Sequence, residues 1–203
     1  MRYIINGDSG NKRLVLAHGA GAGMDSEFMD FVAEGVAQQG VEVIRFEFLY
    51  MQQRRITGKK RPPDKQAVLL QSWREILADL GGSEKLVIGG KSMGGRMASM
   101  VAAQQSVKGL VCLGYPFHPA RKPESLRTEH LPAIKCPALF VQGERDALGN
   151  KLEVAEYDLP PTVEWCWLPD GDHDFKPRVR SGYTHLENLN AAVKRVAEFV
   201  RCC

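Results

Sequence analysis

The chain alternates short apolar runs with segments in which apolar residues recur at helical spacing. The runs are rich in branched and aromatic residues and are bounded by glycine, proline or charge, which is typical of buried strands. In chain order they are Arg13–His18, Val41–Phe48, Lys85–Gly89, Gly109–Tyr115, Ala138–Gly143 and Val163–Pro169. Helical spacing connects Leu69 to Leu80, Met93 to Val101 and Leu186 to Val200. This alternation predicts an α/β fold, a mostly parallel sheet with helices on both faces.

Length and composition narrow the class of protein. A chain of 203 residues can bury one sizeable core, and because no linker rich in proline and glycine divides it, we expect a single domain over residues 1–203. We expect no membrane span and no secretory signal. Five cysteines that fit no zinc spacing indicate reduced, mostly buried thiols in a cytoplasmic protein. The net charge of +3 is too small to indicate nucleic-acid binding.

The stretch LVIGGKSMGGRMASM, residues 86–100, allows two interpretations. Gly-Lys-Ser after a strand resembles the end of a phosphate-binding loop, but that motif requires a glycine where Lys85 stands. Residues 90–94 satisfy the alternative pattern G-x-S-x-G, in which a serine sits on a sharp strand-to-helix turn between two tiny residues. Ser92 is therefore the predicted nucleophile, and a structural turn with an incidental serine is the alternative.

A serine nucleophile needs backbone donors for the oxyanion that forms during acyl transfer. The N–H of Met93 lies at a predicted helix N-terminus, where partial positive charge favours an anion. The small residues of HGAGAG, residues 18–23, follow an early strand and allow the backbone to approach a substrate closely. We predict Ala20 N–H as the second donor, with Gly21 as the alternative and as a substrate contact. This segment does not satisfy the dinucleotide pattern G-x-G-x-x-G.

An acid and a histidine should follow the serine in that order along the chain. Asp146 comes just past one predicted strand, with Glu144 as the second choice, and His173 comes just past the last strand. In the serine-triad template Ser92 attacks, His173 transfers the proton and Asp146 orients the imidazole.

Other residues near the predicted site have weaker signals. His118, with Phe117 beside it, is expected to line the substrate pocket. Asp172 and Asp174 flank His173, but no second cluster of ligand residues supports a metal site. We therefore expect no metal and no cofactor.

The basic segment, residues 54–65, also allows two interpretations. It carries Arg54, Arg55, Lys59, Lys60, Arg61 and Lys65. It is either a solvated loop or a basic rim that attracts an anionic substrate or partner. Nucleic acid is the less favoured partner, because the segment has no aromatic residue for base stacking.

Six stretches, in chain order, carry a resemblance to known proteins: LAHGAGAGMDS, RRITGKKRPPD, GGKSMGGRMAS, GYPFHP, VQGERDALG and DGDHDF. Together they resemble the α/β-hydrolase superfamily, and more narrowly its small cap-less branch related to dienelactone hydrolase. Within that branch the chain is similar to bacterial relatives of testis-expressed protein 30 and of a regulatory subunit of the non-specific-lethal acetyltransferase complex. The resemblance implies a hydrolase fold and site but no particular substrate. Many relatives insert a lid where this chain has only a short segment, residues 118–137. This difference implies a shallow, open site.

Three functions follow from these observations. The first is a serine hydrolase that acts on a small soluble ester, thioester or lactone. The second is a non-catalytic interaction protein that uses the hydrolase fold, with the basic segment as its contact surface. The third is an acyltransferase. An intact triad favours the first, although a fold does not by itself determine a function.

Overall fold

The computed structural model describes residues 3–10 and 12–203. Within these ranges seven strands form one sheet: β1 (Tyr3–Asn6), β2 (Arg13–Ala17), β3 (Glu42–Phe46), β4 (Val87–Lys91), β5 (Gly109–Leu113), β6 (Ala138–Gly143) and β7 (Val163–Leu168). The helices are α1 (Glu27–Ala37), α2 (Leu49–Thr57), α3 (Gln66–Asp79), α4 (Met93–Ala102), α5 (Lys151–Val154) and α6 (His185–Cys202). Short 3₁₀ turns cover Leu131–Ala133 and Val179–Ser181.

The sheet is parallel except at one edge. Its spatial order is β1-β3-β2-β4-β5-β6-β7, and β1 runs antiparallel to β3. Strand β4 lies at the centre, where the chain order reverses, and parallel sheets place binding sites beyond the carboxyl ends of strands at such a point. Because β4, β6 and β7 are parallel, the loops that follow them meet at the same edge of the sheet.

Two apolar cores cover the two faces of the sheet. Successive residues of β4 point to opposite faces, so Val87 packs with α1 and α6, whereas Ile88 packs with α3 and α4. Burial on both faces explains why the central strands are near-continuous apolar runs. The expected α/β class, a mostly parallel sheet between helical layers, is confirmed.

Parts of the architecture differ from the sequence-based expectation. The pattern did not predict β1, α1 or α2. The basic segment is a loop only from Gly58 onward, because its first residues, Arg54–Thr57, end helix α2. That helix buries Tyr50 and Met51, and this apolar contact outweighs the charge of its other face.

Two further observations bear on class. In the described part of the chain no helix is long and apolar enough to cross a membrane. The cysteines are free, but only Cys112 is buried, and Cys202 is exposed, so the expectation of mostly buried thiols is wrong. The C-terminal turn of α6 leaves the Cys202 side chain on its outer face.

Candidate active site

Ser92 lies on the sharp turn that joins β4 to α4. Its φ is +52° and its ψ is −116°, a conformation that side chains rarely adopt and that costs of order 1–3 kcal/mol. The turn places Ser92 beyond the carboxyl end of the central strand, directly before the N-terminus of the helix. The structure therefore has the strained strand-to-helix turn that the motif predicts.

The neighbouring glycines are required by close packing of backbone. A Cβ atom on Gly90 would lie 2.5 Å from the carbonyl oxygen of Ala17 and 2.7 Å from the carbonyl carbon of Gly94. A Cβ atom on Gly94 would lie 2.6 Å from the carbonyl oxygen of His18 and would also overlap that of Ala17. Strand β2 thus passes directly against the turn that carries Ser92.

The structure brings Ser92, His173 and Asp146 together. The Nε2 atom of His173 lies 2.8 Å from the Ser92 hydroxyl oxygen, and its Nδ1 atom lies 2.8 Å from an Asp146 carboxylate oxygen. If Nδ1 carries the proton and donates it to Asp146, Nε2 is free to accept the serine proton. These distances are those of hydrogen bonds, and the three side chains come from the loops after β4, β6 and β7.

Asp146 is held as a buried, hydrogen-bonded carboxylate. Its side chain is fully buried, Oδ1 accepts the Leu148 N–H at 2.8 Å, and Oδ2 accepts the side-chain N–H of Gln142 at 2.9 Å. Burying a charge is costly unless it is paired and hydrogen-bonded, and these donors together with His173 meet that requirement.

Glu144, the second choice for the acid, faces another direction. Its carboxylate accepts a hydrogen bond from Lys151 at 2.8 Å and another from the Asp170 N–H at 3.1 Å. The hydrogen bond from Lys151 and that from Asp170 lower the pKa of Glu144. The structure therefore places Asp146, and not Glu144, against the histidine.

A cavity of about 310 Å³ opens beside Ser92. Ala20 and Gly21 line it together with Gly19, Ala22, Ser26, Phe28, Met29, Lys91, His173 and Asp174. Among the described residues, none accepts a hydrogen bond from the backbone N–H of Met93, Ala20 or Gly21. These N–H groups are therefore available to a bound molecule.

Phe117 and His118 do not line this cavity, so their expected place in the substrate pocket is wrong. Phe117 is fully buried, and its ring packs against Tyr115 at 4.7 Å between centroids. His118 is also buried, with Nε2 3.5 Å from the Glu153 carboxylate. The reason is that the loop after β6 covers this segment: the His118 N–H donates to the Leu148 carbonyl at 3.3 Å.

Lys91 joins the site without having been predicted. Its ammonium donates to the backbone carbonyl of His173 at 2.6 Å, lies 3.1 Å from an Asp174 carboxylate oxygen and stands 5.3 Å from the centre of the Phe28 ring. Burial lowers the pKa of Lys91, and attraction to Asp174 opposes that shift. The only sequence signal was its place beside Ser92 in the motif. Lys91 thus ties the strand of the serine to the loop of the histidine.

The basic segment reaches the site at one point. Arg54 donates to the carbonyl oxygen of Gly21 at 3.4 Å, and Gly21 lines the cavity. Arg55 is already paired with Glu47, at 2.7 Å, and with Asp25. Arg55 is therefore neutralised within the protein, whereas the loop from Gly58 carries exposed charge.

The fold and the Ser–His–Asp geometry together define the α/β-hydrolase class. Residues 10–201 match the family described as "Alpha/beta hydrolase domain". The chain belongs to this family, which confirms the expected hydrolase class at the level of the family.

No group of three or more His, Cys, Asp or Glu side chains in the described residues is arranged to hold a metal ion.

Solved structures with the same fold include several small hydrolases. Dienelactone hydrolase from Anabaena variabilis has a TM-score of 0.70 and 21% identity, and the match covers 98% of this chain and 90% of that one. XC6422 from Xanthomonas campestris, described as an α/β serine hydrolase without a lid, has a TM-score of 0.70 and 15% identity, covering 97% and 88%. An α/β serine hydrolase homologue from Coxiella burnetii has a TM-score of 0.67 and 16% identity, covering 98% and 88%. At these identities the likeness bears on the fold.

Proposed function

We propose that this protein is a serine hydrolase that cleaves a small soluble ester, thioester or lactone through an acyl-enzyme intermediate. The observation that carries the proposal is the continuous chain of contacts from Ser92 through His173 to Asp146, each step at 2.8 Å. A nucleophile in contact with a base, and a base oriented by a buried acid, is the arrangement that activates a serine.

In the first half of the reaction the Ser92 oxygen attacks the acyl carbonyl carbon while its proton passes to Nε2 of His173. Asp146 stabilises the imidazolium that forms. The negative charge on the carbonyl oxygen is held by the N–H groups of Met93 and Ala20, with Gly21 as the alternative to Ala20. The intermediate then expels its leaving group, which takes the proton from His173, and the acyl group stays on Ser92.

In the second half water takes the place of the alcohol or thiol. His173 removes a proton from water as the water oxygen attacks the acyl-enzyme, and the same N–H groups hold the second oxyanion. Collapse returns the proton to Ser92 and releases a carboxylic acid. The proton that left Ser92 departs with the alcohol or thiol and is replaced by one from water, so the enzyme is regenerated.

The shape of the site favours a small substrate. The cavity is about 310 Å³, and the segment between β5 and β6 forms turns and one short 3₁₀ turn rather than a cap domain. The apolar side chains of Phe28 and Met29 line its wall. We assign the acyl group to this cavity and expect short acyl chains to react better than long ones.

The free thiols of the chain fit a cytoplasmic location.

The test of this proposal is the hydrolysis of a short p-nitrophenyl ester and a short thioester by Ser92→Ala. We expect turnover to fall on the order of a millionfold, as in other serine hydrolases that lose the nucleophile. Ser83→Ala is the control, because Ser83 precedes β4 at the opposite end of that strand, where it bonds to the Ser106 carbonyl at 2.7 Å. Undiminished hydrolysis by Ser92→Ala would exclude the proposal.

The same assay separates the other two functions. An interaction protein without catalysis would show no Ser92-dependent turnover with any acyl substrate. An acyltransferase would form more ester or thioester than free acid when a small alcohol or thiol is added as acceptor. We further propose that the chain is related to the bacterial relatives of testis-expressed protein 30 and of the regulatory subunit of the non-specific-lethal complex.

A further inference from the structure

Tyr50 lies directly behind the loop that carries the proposed oxyanion donors. Its side chain is fully buried in the first turn of α2. Its hydroxyl is 3.0 Å from the carbonyl oxygen of Ala20 and 3.2 Å from that of Gly19, and its single proton is shared between these two acceptors. Neither contact touches the triad, and the mechanism above does not use Tyr50.

These contacts determine the direction of two N–H groups. The Gly19 carbonyl shares a peptide plane with the Ala20 N–H, and the Ala20 carbonyl shares one with the Gly21 N–H. No peptide bond among the described residues is cis. In a trans peptide the N–H points away from the carbonyl. A hydroxyl that holds both carbonyls on its own side therefore turns both N–H groups to the other side.

The other side is the cavity. Ala20 and Gly21 line it beside Ser92, whereas the buried Tyr50 does not. A Cβ atom on Gly19 would lie 3.8 Å from the Cβ of Ser92, so the loop passes close to the nucleophile. A reversed peptide would present a carbonyl oxygen to the cavity, and that oxygen would repel an oxyanion instead of stabilising it.

The Gly19 carbonyl also accepts a hydrogen bond from Nδ1 of His18 at 2.7 Å, since Nε2 of His18 accepts the Phe48 N–H. The Ala20 carbonyl, in contrast, is held by Tyr50. The loop itself has little structure to prevent a reversal. It consists of glycine and alanine, and glycine in particular restricts the backbone weakly. Tyr50, in contrast, is firmly placed: its N–H donates to Asp64 at 3.0 Å, and its ring packs against that of His18 at 5.8 Å. Burial raises the pKa of Tyr50, so the hydroxyl keeps its proton, and its ability to donate, at neutral pH.

We infer that Tyr50 is a positioning residue for the oxyanion hole: its hydroxyl holds the Ala20 carbonyl, and shares the Gly19 carbonyl with His18, so that the Gly21 and Ala20 N–H groups face the reacting carbonyl. The inference rests on the proposed function. It also gives the basic segment a structural role, because Asp64 lies in that segment and accepts the Tyr50 N–H.

The test is Tyr50→Phe, which removes the hydroxyl and keeps the ring. With a short neutral ester we expect kcat to fall about 10- to 100-fold, somewhat less than the loss of an oxyanion donor itself, while KM changes less than about threefold. A trifluoromethyl ketone forms a charged tetrahedral adduct with a serine, so its inhibition constant should rise by the same factor as kcat falls. A general loss of structure would not produce this matched pair of changes.

Tyr115→Phe is the matched control. Tyr115 is also a fully buried tyrosine whose hydroxyl donates to a backbone carbonyl, that of Arg127 at 2.8 Å. Its variant should lose a similar amount of stability and keep kcat and inhibitor affinity. Unchanged kcat and unchanged ketone affinity in Tyr50→Phe would overturn the inference, as would equal losses in both variants.

Two further outcomes are distinguishable. If Tyr50→Phe does not fold, Asp64→Ala takes its place, because it removes the carboxylate that accepts the hydrogen bond from the Tyr50 N–H. Because the oxyanion donors would be less well oriented, we expect this variant to lose at least about threefold in both kcat and ketone affinity. No loss in either quantity would overturn the inference.

The failure of this inference can be told apart from the failure of the proposed function. If the wild-type protein shows no Ser92-dependent turnover, both are excluded. If the wild type is active and Tyr50→Phe is equally active, only this inference is excluded.

Discussion

At the scale of single residues, the role of Asp146 as the acid of the triad can be tested by a substitution that keeps its size. Asp146→Asn keeps the size of the side chain but removes the negative charge that fixes the His173 tautomer. We expect kcat on a neutral ester to fall by roughly four orders of magnitude, as in the serine-triad template, while the protein still folds.

Glu144→Gln is the control for that variant. Glu144 has its own partners, Lys151 and the Asp170 N–H, and does not touch His173. Its replacement should change kcat less than about threefold, because exposed ion pairs contribute little to stability and none to the reaction. A large loss in Glu144→Gln beside an active Asp146→Asn would move the acid to position 144.

The sequence predicts single residues well where chain order and loop position restrict the choice. Ser92, Asp146 and His173 each follow a predicted strand, and the structure places them in contact. Phe117 was placed wrongly, because nothing in its local sequence says that the loop after β6 will cover it. Tyr50 was not found at all, because it acts on backbone carbonyls, and a backbone partner leaves no pattern in the sequence.

At the scale of elements, the turn between β4 and α4 depends on the absence of side chains. In Gly94→Ala the new methyl group would meet the carbonyl oxygens of Ala17 and His18, which belong to the backbone and cannot rotate away. We expect unfolding to become easier by at least about 2 kcal/mol, the cost typical of overpacking. Chemical denaturation of the purified variant measures this directly.

Gly10→Ala is the matched control for the turn. A Cβ atom on Gly10 would have its nearest neighbour, the Asp8 carbonyl oxygen, 3.8 Å away. Its free energy of unfolding should stay within about 0.5 kcal/mol of wild type, as for ordinary surface substitutions. If Gly94→Ala were equally stable, the close approach of β2 to the turn would not exist in solution.

Elements are predictable where burial gives a regular pattern. Strands β2 to β6 are buried, so their apolar runs were found, and the edge strand β7 was found from its branched and aromatic residues. Strand β1 was missed because it is a short edge strand whose residues are only partly buried. Helix α2 was not predicted because its arginines and other polar residues obscure the apolar pattern. Burial of Tyr50 and Met51 against the rest of the protein stabilises it as a helix.

At the scale of the whole molecule, the exposed charges after α2 raise the question of an anionic substrate. Lys59, Lys60 and Arg61 are exposed, and the helix they follow carries Arg54, which donates to the carbonyl of Gly21 in the cavity lining. If this surface attracts anions, replacing these three residues by glutamine should lower kcat/KM several-fold for an anionic ester at low salt and leave a neutral ester unchanged. High salt should erase the difference, because screening acts over about 10 Å at 0.1 M ionic strength.

The control is a second triple variant with the same change of net charge, placed at the amino-terminal ends of the central strands. Lys85, Lys108 and Lys135 precede β4, β5 and β6, whereas the site lies beyond the carboxyl ends of the strands. Their glutamine variant should behave as wild type with both esters. If the two triple variants lose the same activity, or neither depends on salt, the loop after α2 is simply a solvated surface.

The central claim, that Ser92 is an activated nucleophile, is tested most directly by covalent labelling. A fluorophosphonate reacts with a serine hydroxyl only when a base removes its proton and donors hold the developing charge. Mass spectrometry of the digested wild-type protein should locate one adduct, on Ser92, and His173→Ala should abolish it. Absence of labelling in folded wild type, or labelling of Ser92 that persists unchanged without His173, would contradict the account.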